Sequence, residues 1–272
     1  FSYCRNGKEY LWNGDPAFWK GHAPILFPVI GQPGKGEYRY KGIAYPMTKH
    51  GFLRDLEAQL VSEDDSSITL QFTETSYTLG MYPFEFCVQV KHTLLESGFE
   101  TAYTVINTGN QELPFTLGGH PGIRCPWNED EVMDDYYLEF SEDISMQSLR
   151  YHEGKPYSRS DTYSVSSSPR VLNLSHSLFD HDALIFDEVQ SRSVALKNRG
   201  SKMYLEFGYS YPVLAIWSMP HTQAPYLCLE PWLGLPWLDS DTDSLQSKPY
   251  CVTLLPKQSH TEMYHLNLRE VD

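Results

Sequence analysis

Short segments in which polar and apolar residues alternate constrain the fold of this chain more than any other feature of its sequence. Residues 67–72, 86–94 and 103–107 each alternate with a period of two, and residues 260–268 do so again near the end of the chain. Successive side chains of a β-strand point to opposite faces, so this pattern predicts strands with one buried face. A turn at residues 108–110 closes the third of these segments.

Other short apolar segments predict further strands at 137–140, 193–197, 203–207, 214–218, 226–229 and 252–255. Helical periodicity is scarce, and it favours only one short helix near residues 175–179, with Ser175 as its cap. Glycine and proline predict a loop at 28–36, and the serine-rich stretch 157–169 predicts an exposed loop. Many short strands with turns between them favour an all-β sandwich or barrel over alternating strands and helices.

The composition shows no break that would divide the chain. Its 272 residues are 41% hydrophobic, which suffices for a sizeable core, and no linker, internal repeat or low-complexity tract separates the two halves. We therefore predict one domain over residues 1–272. Its fold class would be all-β, with a large antiparallel two-sheet β-sandwich.

Charge and cysteine usage limit the partners. The net charge of −14, from 35 acidic and 21 basic residues, disfavours nucleic acid and anionic membranes. No apolar run approaches the ~20 residues that span a bilayer, and the first residues lack a signal-peptide pattern. The five cysteines contain no Cys-x-x-Cys pair, so a zinc site has no support, and free thiols in a cytoplasmic protein are expected.

Three segments at predicted strand ends are dense in polar groups beside glycine or proline. They cover residues 49–55, 117–122 and 228–234. Functional residues tend to collect on such connections because a rigid scaffold holds them. Each of the three segments is therefore a candidate for catalytic or binding residues.

The second segment holds His120 between two glycines and a proline. Gly118 and Gly119 permit a close backbone approach and unusual dihedral angles, and Pro121 restricts the preceding residue to extended geometry. The histidine is therefore held stiffly at a strand end. It is either a catalytic acid or base or a structural histidine in a tight turn, and the local sequence does not choose between these.

The other two segments offer a carboxylate and a cation. Glu230 ends an apolar run and precedes Trp232, so burial should raise its carboxyl pKa towards the range of a general base. The alternative is a strand-end glutamate paired with a cation or a backbone amide. Arg54, near His50, has a fork of donors that suits sugar hydroxyls, but it could also form a surface pair with Asp55 or a glutamate.

A wider set of segments carries a resemblance over the whole length of the chain. They are residues 10–12, Trp19, 23–31, 45–55, 118–121, 179–186, 216–218, 230–232, Gly234, Lys248 and 254–256. In this order and spacing they resemble the aldose 1-epimerase (galactose mutarotase-like) superfamily, specifically its LacX-like branch. The resemblance implies a supersandwich fold and an isomerase that interconverts the α and β anomers of a free aldose.

The resemblance also implies roles for single residues. His120 matches the family's catalytic acid and Glu230 its base, while His50, Arg54 and Asp182 match sugar-binding residues. Neighbours of Asp182, namely Asp180 and His181, could take its place after a small error of register. Trp217 either lines the pocket or packs as a core aromatic.

Further expectations follow from the same resemblance. No metal or cofactor is implied, and the partner is a small sugar, a hexose such as galactose or glucose, bound by a monomer or a homodimer. An acid that is protonated at neutral pH requires a raised pKa, which we expect a neighbouring carboxylate to supply to His120. Gly122 and Ile123 depart from the small residue and aromatic residue that commonly follow this motif, which leaves the choice of sugar open.

Three other functions stay open at this stage. A glycoside hydrolase would need two carboxylates beside the scissile bond, and Glu230 with Asp182 could supply them. A non-catalytic sugar-binding or regulatory protein could share the fold. A hexose 6-phosphate 1-epimerase would need cations at the pocket rim, for which Lys49, Arg54 and Arg124 are candidates.

Overall fold

The computed structural model describes residues 2–271, and two antiparallel sheets dominate it. The larger sheet, called the large sheet below, has nine strands. In spatial order they are Val171–Asn173, Tyr136–Phe140, Ser193–Asn198, Met203–Tyr209, Ser259–Glu270, Gly98–Asn107, Phe86–Leu95, Ser67–Thr73 and Gln59–Glu63. Neighbouring strands are antiparallel throughout this sheet.

The second sheet carries the candidate site and is called the site sheet. It has six strands, ordered Leu184–Phe186, Val213–Trp217, Tyr226–Leu233, Leu117–Gly119 and Ile25–Leu26, with Gly122–Arg124 also paired to the third of these. Four two-stranded pairs complete the β-structure: Cys4–Arg5 with Lys8–Glu9, Glu37–Tyr40 with Ile43–Pro46, Leu113–Phe115 with Val252–Leu254, and Gln147–Leu149 with Thr162–Ser164. The predicted antiparallel two-sheet fold is confirmed.

Helices are few and short. Residues Ser76–Leu79 form an α-helix. The 3₁₀-helices are Leu53–Asp55, Met133–Asp135, His176–Phe179 and Leu245–Ser247. The predicted helix near residues 175–179 is therefore a 3₁₀ turn, and the Ser175 side chain forms no capping hydrogen bond there.

The alternating segments form strands as predicted. In Gly98–Asn107 buried and half-buried side chains alternate along the strand, and the segment near the end of the chain lies within Ser259–Glu270. One loop prediction is wrong in part, because Thr162–Ser164 within the serine-rich stretch pairs with Gln147–Leu149. Tyr163 packs against the core, and this contact outweighs the polar composition of its surroundings.

Alternation also divides the site sheet into two faces. In the strand Tyr226–Leu233, Leu227 and Leu229 face the main core, together with side chains from the large sheet such as Leu138 and Phe207. The intervening side chains face the other way. This second face is the one that positions the candidate site.

Two further findings concern the partners and the cysteines. Within residues 2–271 we find no helix of the length and apolar character that a bilayer crossing requires. All five cysteines are free thiols.

Candidate active site

His120 and Glu230 occupy opposite positions on neighbouring strands. The strands Leu117–Gly119 and Gly122–Arg124 both pair with Tyr226–Leu233 in one continuous antiparallel register. His120 lies in the gap between the first two strands, so this register brings it across from Glu230. The His120 Nε2 and Glu230 Oε2 atoms are 3.2 Å apart, and both side chains are largely buried.

The glycines before His120 allow neighbouring side chains to pack against the strand. A Cβ at Gly118 would lie 2.7 Å from Trp232 Cδ1, and a Cβ at Gly119 would lie 3.1 Å from Tyr264 Cε1. Neither glycine has a positive φ, so the expected close approach is present and the expected unusual dihedral angles are absent.

A cavity of about 630 Å³ opens over this face of the site sheet, within the range of small-molecule sites. All six residues predicted for the site line it: His50, Arg54, His120, Asp182, Trp217 and Glu230. Residues that are far apart in the sequence therefore line the same cavity. Other side chains, which we did not predict as site residues, also line the cavity.

His50 presents a hydrogen-bond donor to the cavity. Its Nδ1 accepts the amide N–H of Gly31 at 3.2 Å, so a neutral ring carries its proton on Nε2. Burial, followed by the neighbouring charges of His120, Lys49 and Arg54, holds the pKa of His50 well below its ordinary value. The neutral, donating form is therefore the one that a ligand meets.

Arg54 lies at the exposed edge of the cavity, on the short helix Leu53–Asp55. Its Nη2 donates to the carbonyl of Lys49 at 2.7 Å. The alternative surface pair with Asp55 is absent, because no ion pair among residues 2–271 involves Arg54. Its remaining donors are available to a ligand.

Asp182, rather than its neighbours, lines the cavity. Its backbone has a φ of 75°, and its amide donates to the carbonyl of Phe179 at 2.9 Å. Asp180 Oδ1 instead accepts the backbone N–H of His221 at 3.2 Å, and the Nδ1 atom of that histidine lies 3.2 Å from it as well. His181 is exposed and outside the cavity lining.

Aromatic rings form the remaining walls. Trp217 lies edge-on to His120 with ring centroids 5.7 Å apart, and Trp19 lies face-on at 4.8 Å and 32°. The unpredicted lining residues include Trp19, Trp232, Tyr157 and Trp237. The high aromatic content was the one available signal, but it cannot separate a pocket aromatic from a strand-packing one.

The pKa values of His120 and Glu230 shift in opposite directions, and the shift at His120 is not the expected one. Burial raises the pKa of Glu230 well above its ordinary value, and Asp182 raises it further, while Lys49 opposes the rise. Burial lowers the pKa of His120 to about 3, and Lys49 and Arg54 lower it too. The expected raised pKa of His120 is wrong, because the loss of hydration disfavours the charged ring and is the largest effect on it.

One group of side chains could offer metal ligands. Among residues 2–271, ligand atoms of His120, Cys228 and Glu230 lie within 4.8 Å of one another. Cys228 is fully buried and is not part of the cavity lining. An ion held by all three would sit partly behind the pocket wall, so we assign no metal ligands here.

Comparison with known proteins gives the family. The aldose 1-epimerase family model matches residues 2–261. The plasmid-encoded protein LacX of Lactococcus lactis subsp. lactis is 32% identical, over 97% of this chain and 91% of its own. The chromosomal LacX of that organism has the same identity and coverage.

Solved structures agree with this result. A galactose mutarotase-like protein from Lactobacillus casei has a TM-score of 0.88 and 31% identity, over 97% of this chain and 90% of its own. A galactose mutarotase related enzyme from Lactobacillus acidophilus has a TM-score of 0.90 and 27% identity, over 98% and 90%. The chain therefore belongs to the aldose 1-epimerase family and resembles its LacX-like members.

Proposed function

We propose that the whole chain forms one domain that works as an aldose 1-epimerase, interconverting the α and β anomers of a free hexose. His120 would be the general acid and Glu230 the general base. The observation that carries the proposal is their 3.2 Å separation on the face of the site sheet that lines the cavity. Anomer exchange needs one such pair and no redox step.

The reaction proceeds by ring opening and reclosure. Glu230 takes the proton of the C1 hydroxyl, the bond between C1 and the ring oxygen breaks, and His120 gives a proton to the ring oxygen. The resulting aldehyde turns about the C1–C2 bond. The hydroxyl then attacks the other face of C1 while both protons return, so the enzyme is regenerated.

A single proton suffices for the pair. Burial raises the pKa of Glu230 and lowers that of His120, so it favours the form in which this proton is on Glu230. Its transfer across the 3.2 Å contact produces the imidazolium and carboxylate that ring opening uses. Glu230 lines the cavity beside His120, so its carboxyl group can take a proton from a sugar hydroxyl placed there.

Three further side chains would hold the sugar. His50 donates through Nε2, Arg54 donates from the rim, and Asp182 accepts hydroxyl protons. Fixing the sugar against the acid and the base supplies a large part of the rate acceleration in reactions of this kind. The aromatic wall formed by Trp217 suits the apolar face of a pyranose.

The hydrolase alternative has less support. A glycosidase places two carboxylates on either side of the scissile bond, whereas the ion-pair partner of Glu230 here is an imidazole. A second candidate is a hexose 6-phosphate 1-epimerase, which is favoured by Lys49 and Arg54 at the cavity. Arg124, the third predicted cation, is not part of the lining.

The direct test follows the optical rotation or the NMR signals of freshly dissolved α-anomers. Galactose, glucose, other aldoses and their 6-phosphates are compared with and without the protein. Faster exchange of a free hexose supports the proposal, and a preference for phosphates supports the second candidate. Sugar binding in calorimetry without any acceleration would identify a non-catalytic binding protein, and release of reducing sugar from a glycoside would identify a hydrolase.

A further inference from the structure

Trp19 lies directly against the proposed acid. Its ring is 4.8 Å from the His120 ring and inclined to it by 32°, so the two rings are stacked at a tilt. Trp19 also meets Trp217 edge-on at 5.6 Å and lines the cavity. The imidazole is therefore held on one side by an indole face.

The strand that follows His120 also fixes the position of Trp19. The amide of Trp12 donates to the carbonyl of Gly122 at 2.9 Å, and the indole N–H of Trp12 donates to the carbonyl of Trp19 at 2.7 Å. On the other side, the amide of Trp19 donates to the carbonyl of Asp15 at 2.9 Å. Two of these hydrogen bonds link the Trp19 backbone, through Trp12, to the strand that follows His120, and the third links it to Asp15.

Two glycines leave room for this ring. A Cβ at Gly21 would lie 2.4 Å from Cζ2 of Trp19, and its three nearest atoms would all belong to that indole. A Cβ at Gly122 would lie 3.3 Å from Cζ3 of the same ring and 2.8 Å from Cβ of Trp12. Gly122, one of the departures noted in the sequence, thus permits the stacking of Trp19 on His120.

We propose that Trp19 is a positioning residue for the reaction, which orients the His120 imidazole by stacking and supports its protonated form. The inference rests on the proposed function. An imidazolium over an aromatic face gains cation–π stabilisation, which is larger where water is excluded. That gain opposes the cost of charging a buried ring.

The charged groups near His120 have opposite effects on the stability of its protonated ring. Glu230, at 3.2 Å, favours the imidazolium. Lys49 and Arg54 disfavour it, while His50, whose ring centroid is 6.3 Å away, is neutral. Trp19 carries no charge of its own, so its replacement changes the orientation and stabilisation of His120 without altering the net charge of the site.

The first test replaces Trp19 with leucine and with phenylalanine. Trp19→Leu should lower kcat about 3- to 30-fold with KM within about twofold, while Trp19→Phe, which keeps an aromatic face, should recover most of the rate. A rise in KM at constant kcat would overturn the proposal, because it would mean that Trp19 only binds the sugar. Equal rates for leucine and tryptophan would overturn it too.

The second test displaces the ring without replacing it. Gly21→Ala should push the indole away from His120, lower kcat in the same direction, and shift the NMR signals of the His120 ring protons that lie over the indole. Gly200→Ala, whose Cβ would meet only the Asn198 side chain at 3.3 Å, is the matched control. An unchanged kcat in Gly21→Ala with shifted His120 signals would overturn the positioning role.

These measurements separate the two proposals. If the wild-type protein accelerates no aldose, the proposed function fails, while the NMR signals still report whether the rings stack. If the wild type is active and the Trp19 variants retain its kcat, only the positioning role fails.

Discussion

His120 and Glu230 face each other across adjacent antiparallel strands, with Nε2 and Oε2 3.2 Å apart. The register in which the segment around His120 pairs with the strand Tyr226–Leu233 places these two side chains opposite each other. A shift of one residue in either strand would turn one of the two side chains to the opposite face of the sheet. The acid–base chemistry of the site therefore depends on the register of the site sheet.

Removal of either member of this pair should abolish most of the activity. His120→Asn and Glu230→Gln should each lower the anomerisation rate by about 10²–10⁴-fold, the usual contribution of a positioned acid or base. The double variant should be little worse than the single ones, because the two groups act as a unit. Polarimetry measures all three, with His181→Asn as the control outside the cavity. Rates near the wild-type value in either single variant would contradict the assignment.

His50 should act on binding more than on chemistry. His50→Asn keeps a residue that tolerates the φ of 66° but loses the Nε2 donor. The loss of one neutral hydrogen bond predicts a KM raised about 2- to 10-fold with little change in kcat. Steady-state kinetics with the preferred aldose provide the measurement. A large fall in kcat with KM unchanged would instead show that His50 acts in the transition state.

Asp182 and Asp180 should behave differently although they are two residues apart. Asp182→Asn removes a charged acceptor from the cavity and a charge that raises the pKa of Glu230, so the base becomes weaker. We expect kcat/KM to fall about 10- to 100-fold. Asp180→Asn, at the carboxylate that contacts His221, should leave kinetics unchanged. The reverse pattern would move the binding carboxylate to Asp180.

Lys248 should be important for stability. It is buried, its ammonium lies 3.4 Å from Asp241 and 4.2 Å from the centroid of Trp237, and both partners line the cavity. Lys248→Met leaves the Asp241 carboxylate buried without its cation, which should cost about 3–5 kcal/mol in the free energy of unfolding. Lys91→Met at an exposed position should cost under about 0.5 kcal/mol. Urea denaturation compares them, and equal losses would contradict the prediction.

The same lysine predicts a pH dependence. Burial lowers the pKa of Lys248 to about 8 in the folded protein, below its ordinary value of 10.5. Between these values the unfolded chain binds more protons, so the contribution of Lys248 to the free energy of unfolding rises with pH in this window. The difference in unfolding free energy between wild type and Lys248→Met should therefore be larger at pH 10 than at pH 7. A smaller difference at pH 10 would show that the folded-state pKa is not depressed.

Much of the fold followed from patterns that are local in the chain. Alternation over 86–94 and 260–268 predicted strands that appear as Phe86–Leu95 and Ser259–Glu270. The strand Thr162–Ser164 was missed because long-range packing of Tyr163, and not its local composition, stabilises it. The sign of the pKa change at His120 was also missed, since burial is a property of the assembled fold.

The sequence by itself determined the class of fold, the family and the six candidate site residues. The alternation of polar and apolar residues and the order of the motifs can both be read from the sequence alone. Tertiary structure alone decided which of these groups meet. It brought His120 to Glu230, placed Asp182 rather than Asp180 at the cavity, and stacked Trp19 on the proposed acid. The physical reason is that strand register and close packing join residues whose separation in sequence carries no information about their distance in space.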